Sequence, residues 1–218
     1  MGAITRAAAN NFTTSGVILP AAINDASVAS ITELENVSAG GENFVLLTSQ
    51  TASASSSIDF TSSIDSTYKV YLFKYINCHP SIDSNDFQVN FSTDGGSNYN
   101  VVKTTTFFQA YHSEADDSGL GINTGGDLSQ SSSAQFLTED TGSDNDQGVS
   151  GNLYLYNPSG TSYVKPFNAV TQNAQQTDYS QNVYVAGYGN TTSAINAVRF
   201  SFSSGNIDDG KILMYGIG

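Results

Sequence analysis

Chemistry in this chain would have to run through two histidines, one cysteine and twenty carboxylates. In "NCHP", Cys78 precedes His79, a thiol beside an imidazole of the kind zinc takes. On a strand, adjacent side chains leave opposite faces, so these two are badly placed to close on one ion. In "YHSEADDSG", His112 stands near Glu114, Asp116 and Asp117 at a strand end. Both histidines are expected to be hydrogen-bonded surface or strand-edge side chains. The sequence has no Gly-x-Ser-x-Gly elbow, no P-loop, no Gly-x-Gly-x-x-Gly after a strand and no His-Glu-x-x-His. Paired carboxylates are the machinery of a glycosidase. With twenty acids, however, some stand close by chance, and the Trp platforms usual in a glycan cleft are missing from the sequence. Flexible acidic loops suit calcium better: "EADDSG" at 114–119, "TEDTGSDNDQG" at 138–148 and "NIDDG" at 206–210. None has the spacing D-x-[DN]-x-[DN]-G-x5-E, so solvated turns are the expectation. The chain is expected to carry no cofactor, with calcium the one ion that has a sequence argument.

The elements that would position these groups read as strands. "FVLLTSQT" is a continuous apolar strand, and "SSIDFTSSIDST" a short strand followed by a polar turn. "YKVYLFKYIN" sets Tyr68, Val70, Leu72 and Ile76 on one face against Tyr71, Phe73 and Tyr75 on the other, which predicts a strand covered on both sides. Tyr71, Phe73 and Tyr75 would pack beneath a loop or form a subunit interface, where such aromatics are enriched. "DFQVNFST" points Phe87, Val89 and Phe91 inward, the half-buried signature. "DGGSN" at 94–98 is a hairpin signal, returning as "YNVVKTTTFFQAYH". In the polar stretch 113–150 only "AQFLTE" reads as strand. "GNLYLYNPSGTSYVKPFNAV" gives two strands about an Asn-Pro-Ser-Gly turn, and "QNVYVAGYGN", "INAVRFSFSSGN" and "DDGKILMYGIG" supply three more. About nine or ten strands with no helix over 43–218 predict an all-β, antiparallel β-sandwich of jelly-roll type. The missing βαβ rhythm excludes a nucleotide-binding α/β sheet.

Bulk composition narrows the partners. A net charge of −13, with seven Lys and Arg, repels phosphate backbones and anionic lipid, so neither nucleic acid nor membrane is an expected partner. Charged residues are 12% of the chain, and Ser, Thr, Asn and Gln supply the remaining polarity. A single cysteine makes no internal disulfide. The opening "MGAITRAAANNFTTSG" has one Arg and no apolar core, so no signal peptide is expected. No run reaches the ~18 apolar residues of a spanning helix.

Residues 1–42 differ in kind. "TTSGVILPAAINDASV" carries Val17, Ile18, Leu19, Ile23 and Val28 around Pro20, and Ile31 and Leu34 continue the series. A segment this short cannot bury its own apolar residues. It is expected to be an anchoring or oligomerisation arm that threads into other subunits, ahead of a β-sandwich domain over 43–218.

That opening, together with "SSIDFTSSIDSTYKVYLFKYIN", "TTTFFQAYHSEAD", "LYLYNPSGTSYVKPF" and "VAGYGNTTSAINAVRFSFSSGNIDDGKILMYGIG", resembles a family of small virion proteins from marine tailed phages of the cyanophage and pelagiphage type. The resemblance covers nearly the whole chain and is most specific over the last forty residues. It implies a structural or fibre-like virion component, made in the host cytoplasm and exposed on the released particle, and it carries over no active-site residues. The expected function is a non-enzymatic tail- or capsid-fibre component, with other virion proteins as partners. Closed symmetry makes it an oligomer, expected here as a homotrimer. Its outward loops, 113–150 and 157–161, would touch a host surface glycan or protein. A capsid decoration protein is the second reading, and a glycan-degrading spike enzyme a distant third.

Overall fold

The computed structural model describes residues 44–218. The arm expected over 1–42, with Val17, Ile18, Leu19, Ile23, Val28, Ile31 and Leu34, lies outside the described residues.

The described chain is all β, with no helix among its residues. Its strands are β1 (Phe44–Thr51), β2 (Ile58–Phe60), β3 (Val70–Pro80), β4 (Phe87–Ser92), β5 (Lys103–Ser113) and β6 (Ser118–Ile122), followed by β7 (Gln135–Phe136), β8 (Val149–Tyr156), β9 (Lys165–Ala174), β10 (Tyr179–Gly189), β11 (Ala197–Phe202) and β12 (Ile207–Ile217). They form two antiparallel sheets packed face to face. One has eight strands in the order β1-β12-β3-β8-β9-β10-β5-β6, the other four in the order β2-β11-β4-β7. The expected β-sandwich is therefore present, with sheets of unequal width.

Alternation places the core. Phe87, Val89 and Phe91 of β4, and Phe200 and Phe202 of β11, turn toward the large sheet and are buried. Phe200 sits among four rings, 5.5 Å from Phe73, 5.8 Å from Phe87, 6.0 Å from Tyr75 and 6.3 Å from Phe60. Tyr71, Phe73 and Tyr75 lie in this same inter-sheet core, essentially without exposure. The subunit interface expected for them is thereby corrected. The second sheet of their own chain covers them, and the Tyr75 hydroxyl is hydrogen-bonded to Thr171 Oγ1. The opposite face of β3 is mixed, since Leu72 is buried while Ile76 is exposed.

Two further expectations are corrected. The turn at 94–98 does not close a hairpin, because β4 belongs to the small sheet and β5 to the large one. Asp94 closes that turn locally, accepting from Ser92 Oγ at 2.6 Å, Asn98 N at 2.9 Å and Asn98 Nδ2 at 2.7 Å, and Gly95 takes φ 72°. Turn chemistry fixes the reversal without fixing the partner strand. Within 113–150, β6 joins β7 as a second strand that the glycines of "SGLGI" concealed.

Register gives the large sheet two distinct ends. At one, Phe44 pairs with Ile217, Ile217 with Val70, Val70 with Tyr156, and Gly189 with both Lys165 and Lys103. At the other, Pro80 pairs with Ile207, Cys78 with Val149, Val149 with Asn173, and Ser180 with Ala174 and His112. The described fold thus begins at one end of the sheet, and the acidic loops sit at the other. Strands of eleven residues separate them by about 35 Å at ~3.3 Å per residue.

Two lysines are buried at the entry end. Lys103 Nζ donates to Asn90 Oδ1 at 2.6 Å and Val101 O at 2.7 Å, with the Phe91 ring 5.9 Å away. Lys165 Nζ donates to the carbonyls of Tyr163, Thr191 and Thr192.

Candidate functional site

The far end of the sandwich gathers three segments that are remote in sequence. The β5–β6 turn meets the β9–β10 turn where Glu114 N donates to Asp178 O at 3.1 Å. The loop 138–148 is tied to the same turn by Gly142 N to Ala174 O at 3.1 Å, Gln176 N to Asp140 O at 3.1 Å, and Gln147 Nε2 to Gln175 O at 3.2 Å. His79 Nε2 lies 3.1 Å from Asp144 O, which holds that loop against β3. The result is a shallow groove in two parts that share Asp146, Gln147, Gln172 and Ala174. Its rim carries Glu114, Asp116, Asp144, Asp146, Asp178 and Asp209, and among the described residues His79 and His112 are its only basic side chains.

The two acidic loops 114–119 and 138–148 therefore meet at one rim, and the third, 206–210, contributes Asp209. A groove so lined repels anions and leaves neutral or cationic ligands as acceptable partners. Among the described residues no three of His, Cys, Asp and Glu stand together as a metal-binding group. His112 is 3.3 Å from Asp116, and both side chains are largely exposed. Among the described residues neither imidazole hydrogen-bonds a serine, threonine or cysteine side chain. The Cys78 thiol is buried and pushed up to about 12 by desolvation, so it stays protonated at neutral pH. Among the described residues no helix is long and apolar enough to cross a membrane.

Beneath the rim the interior is polar. Asn85, Gln135, Thr138, Thr141, Asn173 and Gln181 are buried. Glu139 accepts from Gln109 Nε2 at 2.8 Å and Asn123 Nδ2 at 2.6 Å, and Asp86 Oδ1 accepts from Asp140 N at 3.0 Å. Burial pushes the Asp86 carboxyl up to about 6, and the charges of Asp140 and Glu139 add to the rise. A carboxyl whose folded pKa lies above its ordinary 3.8 contributes stability that is complete below about pH 4 and is lost as pH rises through about 6. Asp86→Asn keeps an oxygen for Asp140 N and removes the charge. Its melting temperature is expected to match wild type near pH 4 and exceed it at pH 7. A melting series across that range checks this, and parallel curves would refute it.

Sequence reasoning singled out the loops of this end but missed the inward amides Gln109, Asn173 and Gln181. Their signal was phase: Gln181 falls in step with Val183 and Val185 on the buried side of β10. Compared with protein families, with curated proteins and with solved structures, the chain matches none.

Proposed function

We propose that this chain is a non-enzymatic structural component of a phage virion, an appendage of the tail or capsid held by its N-terminal arm and presenting loops outward. The observation that carries the reading is the polarity of the sandwich. The fold is entered at Phe44, on the edge strand β1, at one end of the large sheet. The polar loops 113–117, 138–148 and 175–178 converge at the opposite end, where an attached domain would meet its surroundings. Exposed Phe44, Val45 and Leu46 continue the apolar character of the arm into the entry end, as suits burial against other virion chains. The family resemblance over nearly the whole sequence supports the virion setting. The acidic net charge of −13 leaves proteins and neutral glycans, rather than nucleic acid or lipid, as the surfaces to be met.

Deleting residues 1–43 tests the anchoring. Purified particles from phage carrying the shortened gene should lack the chain by quantitative mass spectrometry, while the remaining domain stays soluble in the lysate. Normal occupancy of the shortened chain in particles would overturn the reading.

A further inference from the structure

Three adjacent strands of the large sheet each turn an acceptor without a partner into the polar interior at the loop end. Among the described residues, five buried side-chain polar atoms have no hydrogen-bond partner. Three of them, Gln109 Oε1, Asn173 Oδ1 and Gln181 Oε1, lie on β5, β9 and β10. Gln181 and Asn173 are paired in register, and Gln181 is 1% exposed. The orientation of two of these amides is fixed by their own donors. Gln109 Nε2 is held by the Glu139 carboxylate and Asn173 Nδ2 by Glu139 O at 3.1 Å, so flipping either amide would set oxygen against oxygen. Gln109 and Gln181 both line a cavity of about 260 Å³ together with Tyr111, Gln175 and Tyr179. The Tyr111 and Tyr179 rings stand 5.5 Å apart at 71°, forming two aromatic walls.

Buried acceptors left unpaired destabilise a fold, and three in one patch call for donors. The chemistry of the walls selects the donor. An apolar ligand would leave the acceptors unmet. An anion would face Asp117, which accepts from Tyr179 Oη at 3.3 Å, and Glu139. A metal cation would want several converging carboxylate oxygens, whereas no carboxylate lines the cavity and no metal-binding group stands among the described residues. A neutral molecule with adjacent hydroxyls and an apolar C–H face remains. The volume lies just below the roughly 300–1,000 Å³ of drug-sized sites, which suits a single ring. We propose that this cleft binds one pyranose unit of a neutral glycan, its hydroxyls hydrogen-bonding the side-chain amides of Gln109 and Gln181 as these turn toward it and its C–H face resting on Tyr111 or Tyr179.

This gives the outward end of the appendage a ligand class. It deepens the host-contact part of the reading above, yet its test reads binding by the isolated protein, so it can fail while particle incorporation succeeds, and the reverse. The full chain, labelled with nitrogen-15, is titrated at millimolar concentration with methyl α-D-glucopyranoside, methyl β-D-galactopyranoside and methyl α-D-mannopyranoside, with glycerol as control. At least one glycoside should shift the side-chain amide signals of Gln109 and Gln181 saturably, and glycerol should not. Gln181→Leu, which removes an unpaired acceptor without changing the backbone, should weaken that binding about tenfold, the worth of one buried hydrogen bond. The melting temperature of that variant should be no lower than wild type. Tyr179→Ala, on the cavity wall, should weaken binding as well. Ordered water as the sole occupant predicts no saturable shift with any glycoside, and that result overturns the proposal. So does an equal response to glycerol, or unchanged affinity in both variants.

Discussion

Phe200→Ala is expected to destabilise the sandwich by about 3–5 kcal/mol, the range for truncating a fully buried Phe. The side chain is 0% exposed, on β11, between β2 and β4 in the four-stranded sheet. Its ring touches partners from both layers: Phe60 and Phe87 in its own sheet, Phe73 and Tyr75 across the interface. Truncation removes the transfer energy of the ring and also leaves a void that four stiff aromatic side chains cannot collapse into. The aromatic pairings add about 0.5–1.5 kcal/mol each beyond area, so the upper part of the range is the better expectation. The contrast is Phe44→Ala. Phe44 is 55% exposed on the edge strand, with the Tyr215 ring 6.5 Å away, so its loss should stay within about 0.5 kcal/mol. Denaturant midpoints of the two variants, with the m-value held, check both. A Phe200→Ala loss as small as that of Phe44→Ala would mean that the sheets are not joined through this cluster.

That contrast also marks what sequence reading could reach. Period-two alternation in "DFQVNFST" assigned the buried face of β4 residue by residue, because a half-buried strand writes its burial into side-chain type. The same logic says less of "FVLLTSQT". Its extent, Phe44–Thr51, was legible as a continuous apolar strand, but its place was not, and strand order sets it at an edge with Phe44 and Leu46 exposed. Hydrophobicity records what a residue prefers, whereas position in the sheet is decided by pairings as remote as β1 with β12. The loop 94–98 teaches the same point, since the bonds to Asp94 are local and the choice of sheet is not. For the candidate site, the acidic loops were visible as composition, and their meeting was not. Glu114 and Asp178 are joined only because β5 and β10 run in register over eleven pairs. The inward glutamines broke the apolar phase of their strands, a departure hidden in an otherwise ordinary alternation.

Lys103 supplies the other large effect, read through pH. Its side chain is wholly buried, its ammonium meets a carbonyl, an amide oxygen and a ring face, and among the described residues no carboxylate is a hydrogen-bond partner. Burial alone lowers its pKa from 10.5 to about 8. Between those values the unfolded chain holds a proton that the folded chain has released, so stability rises with pH across the interval. The full difference is worth about 3 kcal/mol, most of it recovered between about pH 8 and pH 10. Above about pH 9 the sign reverses. Burial raises Cys78, Tyr75 and Tyr71, so the unfolded chain sheds thiol and then tyrosine protons that the folded chain keeps. Wild type should therefore show a stability maximum near pH 9, to the alkaline side of the usual optimum. Lys103→Met keeps the volume, removes the titrating group and should flatten the rise between pH 8 and pH 9. Lys74→Met, at an exposed position on β3, should leave the rise intact. Urea midpoints taken across this interval decide the matter. A rise of equal slope in Lys103→Met would show that the buried ammonium does not titrate there, and the account of how the entry end holds a charge without a counter-ion would fall with it.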